Sequence, residues 1–127
     1  MTATTSDLPA AVHGLAAVLG DFPRTPSATG TWRWAVRQQM AGVRDALVIE
    51  TGSATEGWLA AREGSVLRER NTLLRRLSDL GPDVLESPDV SVVRTELKRL
   101  LVDIAHHVQR VNDLAYDDVE LELGGSE

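Results

Sequence analysis

The apolar residues of the last third of the chain recur at intervals of three and four. Val93, Leu97, Leu100, Leu101, Ile104, Val108, Val111 and Ala115 follow one another in this way. At 3.6 residues per turn they fall on one stripe, and a stripe of that width has to be buried against another element. Ser87 reads as the N-cap, Pro88 as the first helical residue, and Asp89 sits near the positive end of the helix dipole. The pattern predicts a helix over about 88–117, roughly 45 Å long. Such a helix needs helical partners, and the rest of the chain supplies them.

Leu8, Val12, Leu15, Ala16 and Leu19 predict a short first helix over about 7–20, capped by Asp7, with Gly20 as its stop. The stretch 21-DFPRTPSATG-30 reads as a connection because it carries two prolines. Trp32, Val36, Met40, Val43 and Leu47 mark one face of a second helix over about 31–51, with Gln39 and Glu50 close to the same stripe. Ser53 and Glu56 fit a capping box, so a third helix is expected over about 54–80. Its face is Leu59, Val66, Leu73, Leu77 and Leu80, widened by Leu67 and Leu74, and Gly81-Pro82 should end it. Residues 118–127, DVELELGGSE, alternate apolar and acidic and are expected to form a tail. The chain of 127 residues therefore reads as a single all-α domain. A four-helix up-down bundle with a short first helix is the simplest arrangement that buries these stripes.

Charge and composition narrow the function. The formal net charge of −6 disfavours nucleic acid and anionic membranes as partners. The absence of cysteine excludes disulfides, thiolate catalysis and cysteine-based metal sites. No apolar run approaches the roughly 20 residues of a membrane span, and no basic region precedes the apolar residues at the N-terminus. A cytoplasmic protein is expected.

The segment 104-IAHHVQRVNDLAYDD-118 is the one that looks most like chemistry. With Ile104 at the centre of the buried stripe, His107 lies about 60° away and His106 about 160° away. The two histidines therefore cannot share a metal, and His106 faces solvent. Asp103, one turn before His107, is positioned to accept an imidazole proton, and Arg110 competes for the same carboxylate. Glu63 and Arg70 fall near the buried side of the third helix, one heptad apart. These five residues, Asp103, His107, Arg110, Glu63 and Arg70, are the candidate ligand-binding set, and the bland alternative is a margin of boundary residues and interhelical salt bridges. The run 68-RERNTLLRR-76 reads as a solvated helix face, since Glu69 interrupts it and no aromatic is interleaved. Trp34 lies off the stripe of the second helix and Trp58 stands at the start of the third. Both are candidate contacts for a partner subunit.

Two pieces carry a family likeness. The segments 50-ETGSATEGWL-59 and 67-LRERNTLLRRLSDL-80 resemble the middle of hemerythrin-like, HHE-type bundles from high-GC, actinobacterial-type organisms. The ending 100-LLVDIAHHVQRVNDLAYDDVELELGG-125 is similar to the final helix and tail of small proteins of the same kind. The resemblance implies a four-helix bundle with a histidine- and carboxylate-bound di-iron centre. This chain departs from that pattern. No histidine stands between Trp32 and Glu50, Arg70-Asn71 occupies the place of a Glu-His pair, and the Glu-x-x-His repeat of di-iron bundles has no second copy. No metal, cofactor or catalytic residue is therefore expected. The leading expectation is a non-enzymatic interaction or structural module that forms a homodimer. The alternatives are a metal- or small-ligand-binding bundle using His107 and Glu63, and an enzyme using His107 with Asp103 as an acid–base pair.

Overall fold

The computed structural model describes residues 8–49 and 57–125; of these, 57–63 and 114–125 are described by their backbone alone. Four helices follow one another: α1 (Leu8–Gly20), α2 (Pro26–Ile49), α3 (Gly57–Glu86) and α4 (Val90–Gly125). Each packs on its neighbours in chain order, and α1 closes the ring on α4. Partner contacts give the directions. Trp32 meets Val18 and Gln39 lies over Gly14, so α1 and α2 run antiparallel. Arg33 meets Val84 while Arg37 lies over Gly81, so α2 and α3 do too. The result is the expected all-α bundle.

Most of the predicted stripe residues form the core, but Val66 and Val111 are only half-buried, and the side chains of Leu59 and Ala115 lie outside those described. Trp32, Val36, Met40, Val43 and Leu47 of α2 are buried, as are Leu73 and Leu77 of α3. Val93, Leu97, Leu100, Leu101 and Ile104 of α4 meet Leu8, Leu15 and Leu19 of α1 in the same cluster. These side chains remove most of their apolar surface from water, each contributing on the order of 1.5–3 kcal/mol.

Four boundaries differ from the sequence expectation, each for a local reason. Helix α2 starts at Pro26, inside the segment expected to be a connection. Thr25 caps it, its Oγ1 accepting the Ala28 N–H at 3.3 Å, and Pro26 takes the first helical position, where a missing N–H costs little. Helix α3 does not stop at Gly81-Pro82 but runs through Pro82 to Glu86. Pro82 cannot donate to the Ser78 carbonyl. The turn beyond it is held instead by packing, with Val84 fully buried, and by Arg33, whose guanidinium binds the Val84 and Ser87 carbonyls at 3.0 and 2.6 Å.

Helix α4 is capped by Asp89 rather than Ser87. The Asp89 carboxylate accepts the Val92 N–H at 3.3 Å and the Ser91 hydroxyl at 2.8 Å. Those hydrogen bonds, Ser91 first, hold its carboxyl below the ordinary range. Pro88 thus precedes the cap. Finally, 118–125 are the end of α4 and not a tail. Glutamate and leucine are good helix formers, and nothing before Gly124-Gly125 breaks the chain, so helix propensity prevails over the two-residue alternation. The proposed caps Asp7 and Ser53-Glu56, and residue Glu50, lie outside the described residues.

Candidate functional site

The polar margin between α3 and α4 gathers the residues that looked most like chemistry, but in different pairs. His107 is completely buried, though it sits at the edge of the predicted stripe. Its partner is Glu69 of α3, with Nδ1 2.7 Å from Oε1, and not Asp103 one turn away. Arg110 does not compete for Asp103 either. It clamps Glu69, donating from Nε to Oε1 at 3.0 Å and from Nη2 to Oε2. Asp103 instead accepts Arg76 Nη1 at 2.6 Å. Helix geometry explains the change. An i,i+4 pair on one helix meets along the outer surface, whereas side chains at the stripe's edge reach the facing helix.

Glu69 and Arg76 therefore belong to the site, although the charged run that contains them reads as a solvated face. A signal for them was available. Glu69 and Arg76 are one heptad apart on α3, and Asp103 and Arg110 are one heptad apart on α4. On both helices the acid comes first. Two such helices running antiparallel set acid against base at both levels, as observed, whereas a parallel pair would set like against like. The pattern encodes direction and register as well as attraction.

The electrostatics follow from the geometry. Partial burial opposes ionisation of Glu69, but the hydrogen bonds from Arg110 and His107 outweigh it and hold the carboxyl below its ordinary value. The same pairing raises the Arg110 guanidinium, helped by the charge of Asp103. An ionised Glu69 only accepts, so His107 must carry its proton on Nδ1. The acid is thus a fixed anchor that keeps a proton on Nδ1 of the sealed imidazole.

The other candidate residues are placed as follows. His106 and His13 are exposed. Arg70 is half-buried beside Glu69 in sequence. The side chains of Glu63 and Trp58 lie outside those described. Trp34 is 61% exposed, in keeping with its position off the α2 stripe. Among the described residues, no three His, Asp or Glu side chains stand close enough together to hold a metal ion, and no helix is long and apolar enough to cross a membrane.

A second polar set, invisible in the sequence pattern, lies at the end of the bundle where α1 and α3 finish. Trp32 Nε1 donates to the Val18 carbonyl at 3.0 Å, and Arg94 Nε donates to the Leu19 carbonyl at 2.8 Å. The Arg94 guanidinium also stands 5.0 Å from the Phe22 ring centre, and Phe22 meets Trp32 edge-on at 5.3 Å. The Arg94 and Arg33 contacts serve carbonyls at the ends of α1 and α3, whereas the Val18 carbonyl also accepts the Asp21 N–H at 3.1 Å, so Trp32 is its second donor. Compared with known proteins, the chain matches no family model, no curated protein and no solved structure.

Proposed function

We propose that this bundle is a non-enzymatic interaction module that pairs with a second copy of itself through the outward face of α2. The observation that carries the reading is Trp34, 61% exposed on a helix whose other tryptophan, Trp32, is buried. Trp34, Ala41 and Val48 are spaced by heptads, so they share one side of α2, and Val48 and Ile49 are more than half exposed. Tryptophan is among the residue types that dominate binding energy at interfaces, and Trp34 begins this strip. The state of His107 supports the non-enzymatic part. General acid–base work needs the imidazole to reach a substrate, and this one is fully enclosed with Nδ1 committed to Glu69. The acidic balance favours a protein partner over nucleic acid, and a cytoplasmic setting belongs to the same reading.

Sedimentation equilibrium over a hundredfold concentration range tests it. Self-association that is lost in Trp34→Ala and in Val48→Asp, with helical circular dichroism unchanged, is the expected result. A monomer at every concentration would remove the proposal.

A further inference from the structure

The groove between α2 and α3, on the flank of the proposed α2 interface, has a composition of its own. It encloses about 520 Å³. Met40 and Leu77 are buried beneath it, and Leu85, 43% exposed, forms part of its α3 side. Arg37 enters it from α2. A Cβ built on Gly81 would lie 3.1 Å from Arg37 Nη1 and 3.4 Å from Cζ, so the guanidinium rests directly on the α3 backbone where a side chain is missing. Arg37 is half-buried and has no hydrogen-bond or ion-pair partner among the described residues. It differs in this from Arg33, Arg76, Arg94 and Arg110, each of which is bound to an acceptor. A guanidinium has five donors arranged for a planar carboxylate, and those of Arg37 still reach solvent, so a ligand carboxylate can take the place of water there. Arg44, two turns further along the same side of α2, adds positive charge, and its contact with Asp45 is exposed on both sides.

We propose that this groove is a binding site for a small monocarboxylate with a hydrocarbon body, the carboxylate held by Arg37 and the chain lying over Met40 and Leu77. The volume lies within the range of small-ligand sites, and an apolar floor with a few convergent polar groups is their usual composition. Glu86 also lines the groove, on the side of Arg37 away from Met40 and Leu77. Its like charge opposes the carboxylate held by Arg37, while the far end of the hydrocarbon body points towards Arg44. The site stands apart from the self-association reading, because it requires no second copy.

Octanoate is the probe, titrated into the ¹⁵N-labelled chain while the backbone amides and arginine Nε–H signals are followed by NMR. Wild type and Trp34→Ala are run side by side, so the result is readable whether or not the protein self-associates. Saturable shifts at Ala41, Ser78, Gly81 and the Arg37 Nε–H are expected. Arg37→Gln should weaken binding roughly tenfold, as for loss of a charge-assisted pair. Gly81→Ala keeps every charge but displaces the guanidinium, and should weaken binding by a smaller factor. Glu86→Gln should tighten it, and 1-octanol should bind more weakly than octanoate. Circular dichroism establishes that each variant is folded. Equal affinity for octanoate and 1-octanol, an unchanged affinity in Arg37→Gln, or shifts clustered away from the groove would overturn the proposal.

Discussion

The two polar regions of the bundle solve different problems. At the end where α1 and α3 finish, arginines from α2 and α4 and the Trp32 indole bind backbone carbonyls. Along the α3–α4 seam, arginines and His107 bind carboxylates. The first set stabilises helix termini, whose acceptors cannot titrate. The second fixes which residue of α3 faces which residue of α4, and its acceptors can be protonated. One region should therefore be indifferent to mild acid and the other sensitive to it. A side chain's charge does not reveal which role it plays; the identity of its acceptor does.

This contrast can be broken experimentally. The largest effect is expected at the carbonyl-binding end. Trp32→Ala removes a buried indole and its bond to Val18, and should cost about 3–5 kcal/mol in urea unfolding. Arg33→Met removes two charged donors from the end of α3 and should cost about 1.5–3 kcal/mol, equally at neutral and mildly acidic pH. If that loss shrinks in acid, the distinction between the two regions is wrong.

Glu69→Leu takes the acceptor from His107 Nδ1 and should cost about 1–3 kcal/mol at pH 7. Its pH dependence is the sharper test. The Glu69 carboxyl is held below its ordinary value, near 4.5, so its stabilisation is fully present above that value. It is lost as pH falls through the lower, folded-state value. Melting curves of wild type and Glu69→Leu should therefore converge in acid, while Arg33→Met stays below wild type throughout. The smallest effect is expected at Asp89→Ala, which removes an exposed cap. Its loss should also fade in acid, because this carboxyl too is held low. A thermal midpoint unchanged at neutral pH would show that the cap contributes nothing.

Much of the fold is legible in the sequence because burial has a period. The stripes of α2 and α4 identify the core almost residue by residue, and Trp34 is correctly set outside it. The helix ends are less legible. Pro82 looks like a stop because its local cost is visible, whereas the Arg33 contacts that carry the helix past it come from 51 and 54 residues away. The same holds for the polar margin. His107 is recognisable as inward-looking, but its partner is not, since Asp103 is near in sequence and Glu69 is near only in space. What the single-helix wheel lacks is the facing helix. The matched acid–base order of Glu69…Arg76 and Asp103…Arg110 supplies it once the two helices are taken as an antiparallel pair.

Arg33 and Arg94 also have a kinetic consequence. The chain comprises two helical hairpins, α1–α2 and α3–α4, and the link in the second is only Ser87–Asp89. Within each hairpin the contacts are close in sequence, which favours early and rapid formation. Arg33 ties α2 to the end of α3, and Arg94 ties α4 to the end of α1, so each spans the two hairpins. They are contacts of docking and should form late. Replacing either should accelerate unfolding while leaving the folding rate almost unchanged.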